Sequence, residues 1–469
     1  MEKVHRAIAV RKPRWLILVL VTFVTGVAAG LGGMALALLL RLVQHIAYGL
    51  HTSIARVSFL QEVTEASDLR RFLALGSCGA VAGIGWWLLY GFGTPLVSIR
   101  QAVQKGERMP FWPTLIHAIL QIVTVGLGSP LGREVAPREL GAALATRLCA
   151  RANLTPECTR IMIACGAGAG LAAVYNVPLG GTFFTLEVLL GTFSLPASVA
   201  ALATCVIATL VAWLGLGNGL QYSVPPLAIS ASVIVWSLLV GPVVGAAAYL
   251  FVRVTDAARA RAPKDWRLAV WCSLVFPMIG LIAIPFPQLL GNGKGLAQVG
   301  FDNEVGLALA ATLLLLRLVV LVASLRAGAE GGLLTPGLSV GALLGIILGS
   351  FWNHVWPTQS LAGFAIVGGA AFLASSMKMP LTAIVLTVEF TGIGQQFLIP
   401  LSLAVAGSIS IFHLCGHYAD QSMRESVRIR LHERTADSLP AGTSSSVSIE
   451  YCTCHPRRSA NPYHVDSGI

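Results

Sequence analysis

The sequence is short of charge where a soluble protein would need it. Between Arg160 and Arg253 the single Asp, Glu, Lys or Arg is Glu187, and from Gly331 to Ala419 only Lys378 and Glu389 interrupt the run. Charged residues make up 11% of the 469 positions and hydrophobic ones 55%, with a mean hydropathy of +0.75. That leaves too few polar side chains to cover a soluble globule, so the chain belongs in a bilayer, where a crossing helix takes about 20 residues. Acidic residues are scarcer still, 21 against 32 basic ones. The resulting charge of +11 does not read as a nucleic-acid surface, because the basic residues gather at the ends, as in Arg11, Lys12 and Arg14 and in 424–434. Such placement predicts flanks drawn to anionic lipid, with both termini cytoplasmic in a cell membrane.

Other absences narrow the class further. The run from Trp15 to Leu42 is too long for a cleaved signal peptide and reads as the first membrane helix. Cys78, Cys149, Cys165, Cys205, Cys272 and Cys415 sit at irregular spacing in apolar stretches, which reads as buried thiols and not as a disulfide framework. Cys452, Cys454, His455 and His464 have metal-ligand chemistry but lie in a Ser/Pro/Gly-rich tail without a scaffold. The spans contain no paired metal ligands, nucleophile elbow or phosphate-binding lysine loop, so neither an enzyme nor a cofactor is expected.

Apolar segments run over 15–42, 72–90, 113–127, 161–175, 178–191, 196–216, 226–252, 268–290, 305–325, 333–350, 361–376, 380–390 and 396–415. Several are too short to cross a hydrocarbon layer about 30 Å thick, and broken backbone at that depth must be buried in protein or line a wet cavity. We place the breaks at the glycine-rich joins 91–95, 126–132, 291–295 and 327–332. The expected organisation is a cytoplasmic segment 1–14, one all-α membrane domain 15–430, and a disordered tail 431–469 with no second folded domain. Residues 51–71, with Glu62, Glu65, Asp68, Arg70 and Arg71, read as an extramembrane connection.

One phrase is written twice. Pro178-Leu179 leads through Thr185 to Glu187, and Pro380-Leu381 leads through Thr387 to Glu389. Gly166, Leu171 and Ala172 precede Gly368, Leu373 and Ala374 by the same offset, and Gly91, Gly93, Gly128, Gly132 and Gly141 meet Gly291, Gly293, Gly328, Gly332 and Gly341 at a neighbouring one. Two matching apolar halves, roughly 70–216 and 268–415, each interrupted by glycines, are the sign of a membrane transporter with its site between them.

The most specific local signal is Gly126-Leu127-Gly128-Ser129-Pro130-Leu131-Gly132-Arg133-Glu134. A helix starting there aims N–H groups and the positive end of its dipole at the join, favouring an anion or the Glu134 carboxylate as a plug. An interfacial ion pair of Arg133 with Glu134 is the other reading. Gly91-Phe92-Gly93-Thr94-Pro95 and Gly331-Gly332-Leu333-Leu334-Thr335-Pro336 are further joins whose helix starts could converge on one dehydrated anion.

These three joins resemble the anion-site motifs of the CLC family of chloride channels and proton-coupled chloride exchangers, in the family's order, over about residues 15 to 430. The resemblance implies an all-α membrane protein of two inverted halves with many tilted and partly spanning helices, forming a homodimer with a separate anion path in each subunit. It puts Glu134 in the place of the gating glutamate and the anion, chloride or a similar small ion, among Phe92, Gly93, Thr94, Pro95, Gly132, Arg133, Val135, Leu333, Leu334 and Thr335. The departures are Phe92 for the motif serine, Leu334 for the motif phenylalanine, and Val135-Ala136 for Gly-Pro. The family's tyrosine of the last helix has no secure counterpart, Met423 or Arg424 falling near it and Tyr418 several residues early. With both hydroxyl donors in question, the anion relies more on backbone N–H groups, or on Thr94 and Thr335.

Glu187 and Glu389 are charges inside apolar helices, either relaying protons, joining subunits or holding the structure together. The family's inner proton relay falls at Val188, which leans the reading toward passive conduction, with proton-coupled exchange or a transport-inactive scaffold as alternatives. His117 and Arg317, 200 positions apart, either add positive potential along the route or snorkel to headgroups.

Overall fold

The computed structural model describes residues 14–49, 58–303, 305–357 and 360–437, and in the last helix it describes side chains to Ala419 and at Gln421. Residues 1–13, and the tail from 438 with Cys452, Cys454, His455 and His464, lie outside the described residues.

Seventeen α-helices make up the described chain, and no strand forms among those residues. In order they are α1 (Arg14–Tyr48), α2 (Phe59–Glu65), α3 (Asp68–Phe92), α4 (Ile99–Lys105), α5 (Phe111–Gly126), α6 (Val135–Ala152), α7 (Pro156–Tyr175), α8 (Pro178–Phe183) and α9 (Leu195–Leu216). Then follow α10 (Ala231–Ala260), α11 (Arg267–Ile282), α12 (Lys294–Phe301), α13 (Leu307–Ala327), α14 (Leu334–Trp352), α15 (Ala362–Ser376), α16 (Pro380–Thr391) and α17 (Leu398–Asp437). A π-helical turn, Phe184–Leu190, prolongs α8. Eight helices are long and apolar enough to cross a bilayer, while α5, α11, α15, α16 and α8 with its π turn are apolar but shorter. The 51–71 connection contains α2 and the start of α3, and α17 runs on to Asp437, seven residues into the stretch read as tail.

The halves repeat as α3, α5–α9 and α11, α13–α17, in the register that the offsets predict. In each, two helices press together at matched glycines, Gly141 on Gly166 between α6 and α7 and Gly341 on Gly368 between α14 and α15; a Cβ at any of the four would overlap the neighbouring backbone. The core lies here, with α7 buried from Met162 to Tyr175 and α15 along its whole length. The joins before α6 and α14 turn through Gly128 and Gly328, at φ 108° and 100°, a region L side chains rarely adopt.

The starts of α2, α3, α4, α7 and α10 are capped locally by Ser58, Ser67, Ser98, Thr155 and Ser230. The starts of α6, α8, α14 and α16 carry no side-chain cap from their own N-cap residues, Glu134, Val177, Leu333 and Met379. Their N–H groups require partners from elsewhere.

Candidate functional site where the two halves meet

The partners come from across the repeat. Pro178 and Pro380 open α8 and α16 and have no N–H to offer, so the first free donors are Leu179 and Gly180 in one half and Leu381 and Thr382 in the other. Glu389 accepts from the Leu179 and Gly180 amides at 3.0 and 2.6 Å. Glu187 accepts from the Leu381 and Thr382 amides at 3.0 and 2.7 Å, and from the Thr382 hydroxyl at 2.6 Å. Each copy of the doubled phrase therefore caps the other, and both carboxylates are committed to a helix start, where the dipole favours them. Val188, beside Glu187 in the π turn, is half-buried and packs against the core.

The third crossing involves Glu134. Gly132 and Gly332 pair as an antiparallel bridge, N–H to C=O at 2.8 and 2.9 Å in the two directions. That bridge sets the start of α6 against the start of α14. Glu134 is 0% exposed, and its Oε1 accepts from the Leu334 amide at 2.5 Å. A Cβ on either Gly132 or Gly332 would overlap this carboxylate, which is why both bridge positions are glycine. The fourth crossing is missing: Leu334 stands 200 positions after Glu134 and has no carboxylate to return to α6.

Tyr175, at the end of α7, was not found by the sequence reading. Its buried hydroxyl lies 3.5 Å from Glu134 Oε2, as donor, and 3.3 Å from the Thr335 hydroxyl. The signal available was weak: a tyrosine just before the left-handed Asn176 that ends α7. Tyr418, in the last helix, is 63% exposed and takes no part in the hydrogen bonds around Glu134.

Arg133 does not pair with Glu134 among the described ion pairs; its guanidinium lies over the Tyr175 ring, 5.1 Å from the centroid. Val135 and Leu333 flank the bridge as first residue of α6 and N-cap of α14, and Leu334 is fully buried. Thr335 thus joins Glu134 and Gly132 in one cluster. Phe92, Gly93, Thr94 and Pro95 do not join it. Phe92 ends α3 at 80% exposure, packs its ring on Trp87, and none of the hydrogen bonds around Glu134 involves residues 91–95. The helix after this join begins only at Ile99, with the Ser98 hydroxyl accepting from the Gln101 amide and the Gln101 side chain accepting from the Ser98 amide.

The paired basic residues are also committed. His117 Nδ1 lies 2.8 Å from Glu139 Oε2 and 2.9 Å from Gln121 Nε2. Arg317 is fully buried and donates to three carbonyls, Leu289 and Gly291 through Nη1 at 3.0 and 3.1 Å and Pro130 through Nη2 at 2.9 Å. It is a brace between the joins of the two halves, neither snorkelling nor free. Chemically, the cluster can hold one negative charge in a dry place between amide N–H groups and hydroxyls, and that charge is presently a side chain that can be neutralised by a proton.

Comparison with known proteins places this arrangement. The family model described as voltage gated chloride channel matches residues 78–413. An H(+)/Cl(-) exchange transporter, ClcA, of Yersinia pseudotuberculosis is 28% identical over 418 residues, 86% of this chain and 85% of its own. A voltage-gated ClC-type chloride channel, ClcB, of Citrobacter koseri is 28% identical over 350 residues, 71% of this chain and 82% of its own. A slow cyanobacterial Cl-/H+ antiporter has the same fold at a TM-score of 0.74 and 22% identity, covering 85% of this chain and 95% of that one. A CLC-type fluoride/proton antiporter superposes at a TM-score of 0.60 and 21% identity, over 84% of this chain and 96% of that one. With the family match spanning well over half of its length, this chain is a multi-pass membrane protein belonging to the CLC, or voltage-gated chloride channel, family.

Proposed function

We propose that the chain carries a small anion, chloride foremost, across the membrane, with Glu134 as the gate. The observation that carries this reading is the Glu134 carboxylate, dry and seated 2.5 Å from the Leu334 amide at a helix start. Helix starts of this kind favour any compact anion, so a protonated Glu134 that swings away leaves its place to the transported ion. The Tyr175 and Thr335 hydroxyls then serve as the donors that Phe92 and the last helix do not provide.

Exchange against protons is the better supported mechanism. The Yersinia relative is an exchange transporter and two of the solved structures are antiporters, while the Citrobacter relative carries the name of a channel. The lean toward passive conduction rested on Val188 alone, and neither solved antiporter fold lends it support. Glu187 is a poor substitute relay, since three donors hold its carboxylate at α16.

In proteoliposomes, an imposed chloride gradient is expected to drive protons uphill, and Glu134→Gln to abolish proton movement while anion flux persists without pH dependence. Glu134→Gln protein with wild-type pH dependence would remove Glu134 from the gate, and robust anion flux without proton movement in the wild type would return the reading to a channel. Association into a homodimer belongs to the same proposal, on family grounds and through the faces of α8 and α16, where Leu179 and Leu381 are each about half exposed. Cysteine cross-linking at those two positions in the membrane tests it.

A further inference from the structure

Arg138 lies one turn into α6 from Glu134, and it is 1% exposed. A guanidinium does not shed its charge in a protein, so burial must be compensated by neighbours. Here the neighbours fall short. Nε and Nη1 are both buried without a hydrogen-bond partner, and no ion pair among the described residues includes Arg138. Its carbon lies 4.9 Å from the centroid of the Phe184 ring, which offers a π face but no acceptor. The acidic groups close enough to influence it are Glu134 and Glu139. Glu134 is turned to the Leu334 amide, and Glu139 is engaged by His117 and Gln121. The positive start of α6 raises the burden on the cation further.

We infer that Arg138 forms an anion subsite in series with the Glu134 position, taking a small monovalent ion of the halide class. A water molecule would satisfy the two N–H groups without adding negative charge, whereas a halide does both and takes over the role of Glu134 when that carboxylate is neutralised. The group seated on the guanidinium is the Phe184 ring, which is apolar and offers no donor set for a polyatomic anion. Glu134 at the N-cap of α6 and Arg138 four residues on stand on one face of the helix, so an ion at one position is placed to repel an ion from the other. The motif resemblance does not include this position, and the second half has Leu338 at the same offset.

The inference rests on the anion-transport reading, and the test separates the two. Full-length protein is soaked in bromide for anomalous diffraction, and bromide flux is measured in proteoliposomes over a range of bromide concentrations. A bromide peak is expected beside the Arg138 guanidinium. Arg138→Gln is expected to raise the half-saturating bromide concentration about tenfold or more, as for loss of hydrogen bonds to a charged group. Arg138→Lys, which keeps the charge and loses the fork, is expected between the two. Wild-type flux with no peak at Arg138 and unchanged half-saturation in both variants overturns the subsite. A peak at Arg138 in a protein that carries no flux supports the subsite and overturns transport instead. If Arg138→Gln does not fold, the wild-type peak and Arg138→Lys decide.

Discussion

Residues 132–138 and 332–338 follow the same course into a helix and differ in nearly every side chain. The first carries Arg133, Glu134 and Arg138; the second carries Leu333, Leu334 and Leu338. At the doubled Pro-Leu phrase the halves instead match, with Glu187 and Glu389 each capping the other's helix. Near-symmetry is thus kept where the carboxylates cap helix starts and given up at Glu134, the proposed gate. A second carboxylate at 334 would close the remaining helix start and leave no amide free for an ion.

The comparison breaks most decisively at residue 134. Glu134→Gln is expected to erase the pH dependence of flux, while Leu334→Gln, its counterpart in the second half, keeps it; equal effects on pH dependence would mean that the halves share the gate. A large stability effect is expected at Arg317, whose removal as Arg317→Met leaves carbonyls of both joins without a donor. The loss is about 3 kcal/mol or more by denaturation in detergent, and a change below about 1 kcal/mol would show that the joins hold without the brace. The two caps come next. Glu187→Ala and Glu389→Ala are each expected to cost about 2 kcal/mol, Glu187 more because it also holds the Thr382 hydroxyl. The reverse order would undo the account of their asymmetry. The smallest effect is expected from Tyr175→Phe, which removes a long hydrogen bond to Glu134 and has Met377 as its repeat counterpart. Flux at neutral pH should rise about threefold as the hold on Glu134 loosens, and a fall would show that the hydroxyl's contact with the ion outweighs its hold on Glu134.

Much of this was legible in the residues. The offsets located the joins, and Gly128 and Gly328 take positive φ where only glycine is comfortable. Helix limits agree closely where apolar composition and a glycine or proline coincide, as at α5, α14, α15 and α16. Three things were not legible. The crossing caps join residues about 200 positions apart, so no local window contains both donor and acceptor. The clue was the lack of Ser, Thr, Asp or Asn at Val177 and Met379, just before helices that begin with proline. Tyr175 is one aromatic residue at a helix end, and only tertiary packing brings its hydroxyl to Glu134. Phe92 through Pro95 matched a motif by spacing, but Ser98 and Gln101 cap the helix that follows, and the stretch stays at the surface.

The exchanged caps also set an order of events during synthesis. When α8 leaves the ribosome its amides have no acceptor, and the carboxylate that will receive them, Glu389, is 210 positions away from Leu179. At ordinary rates of translation that is roughly 10 to 40 s, during which a polar helix start has to be sheltered by water, lipid headgroups or the insertion machinery. The first half is therefore unfinished on its own, and a stop codon between the halves would yield an insertion intermediate whose α8 start has no carboxylate to close it.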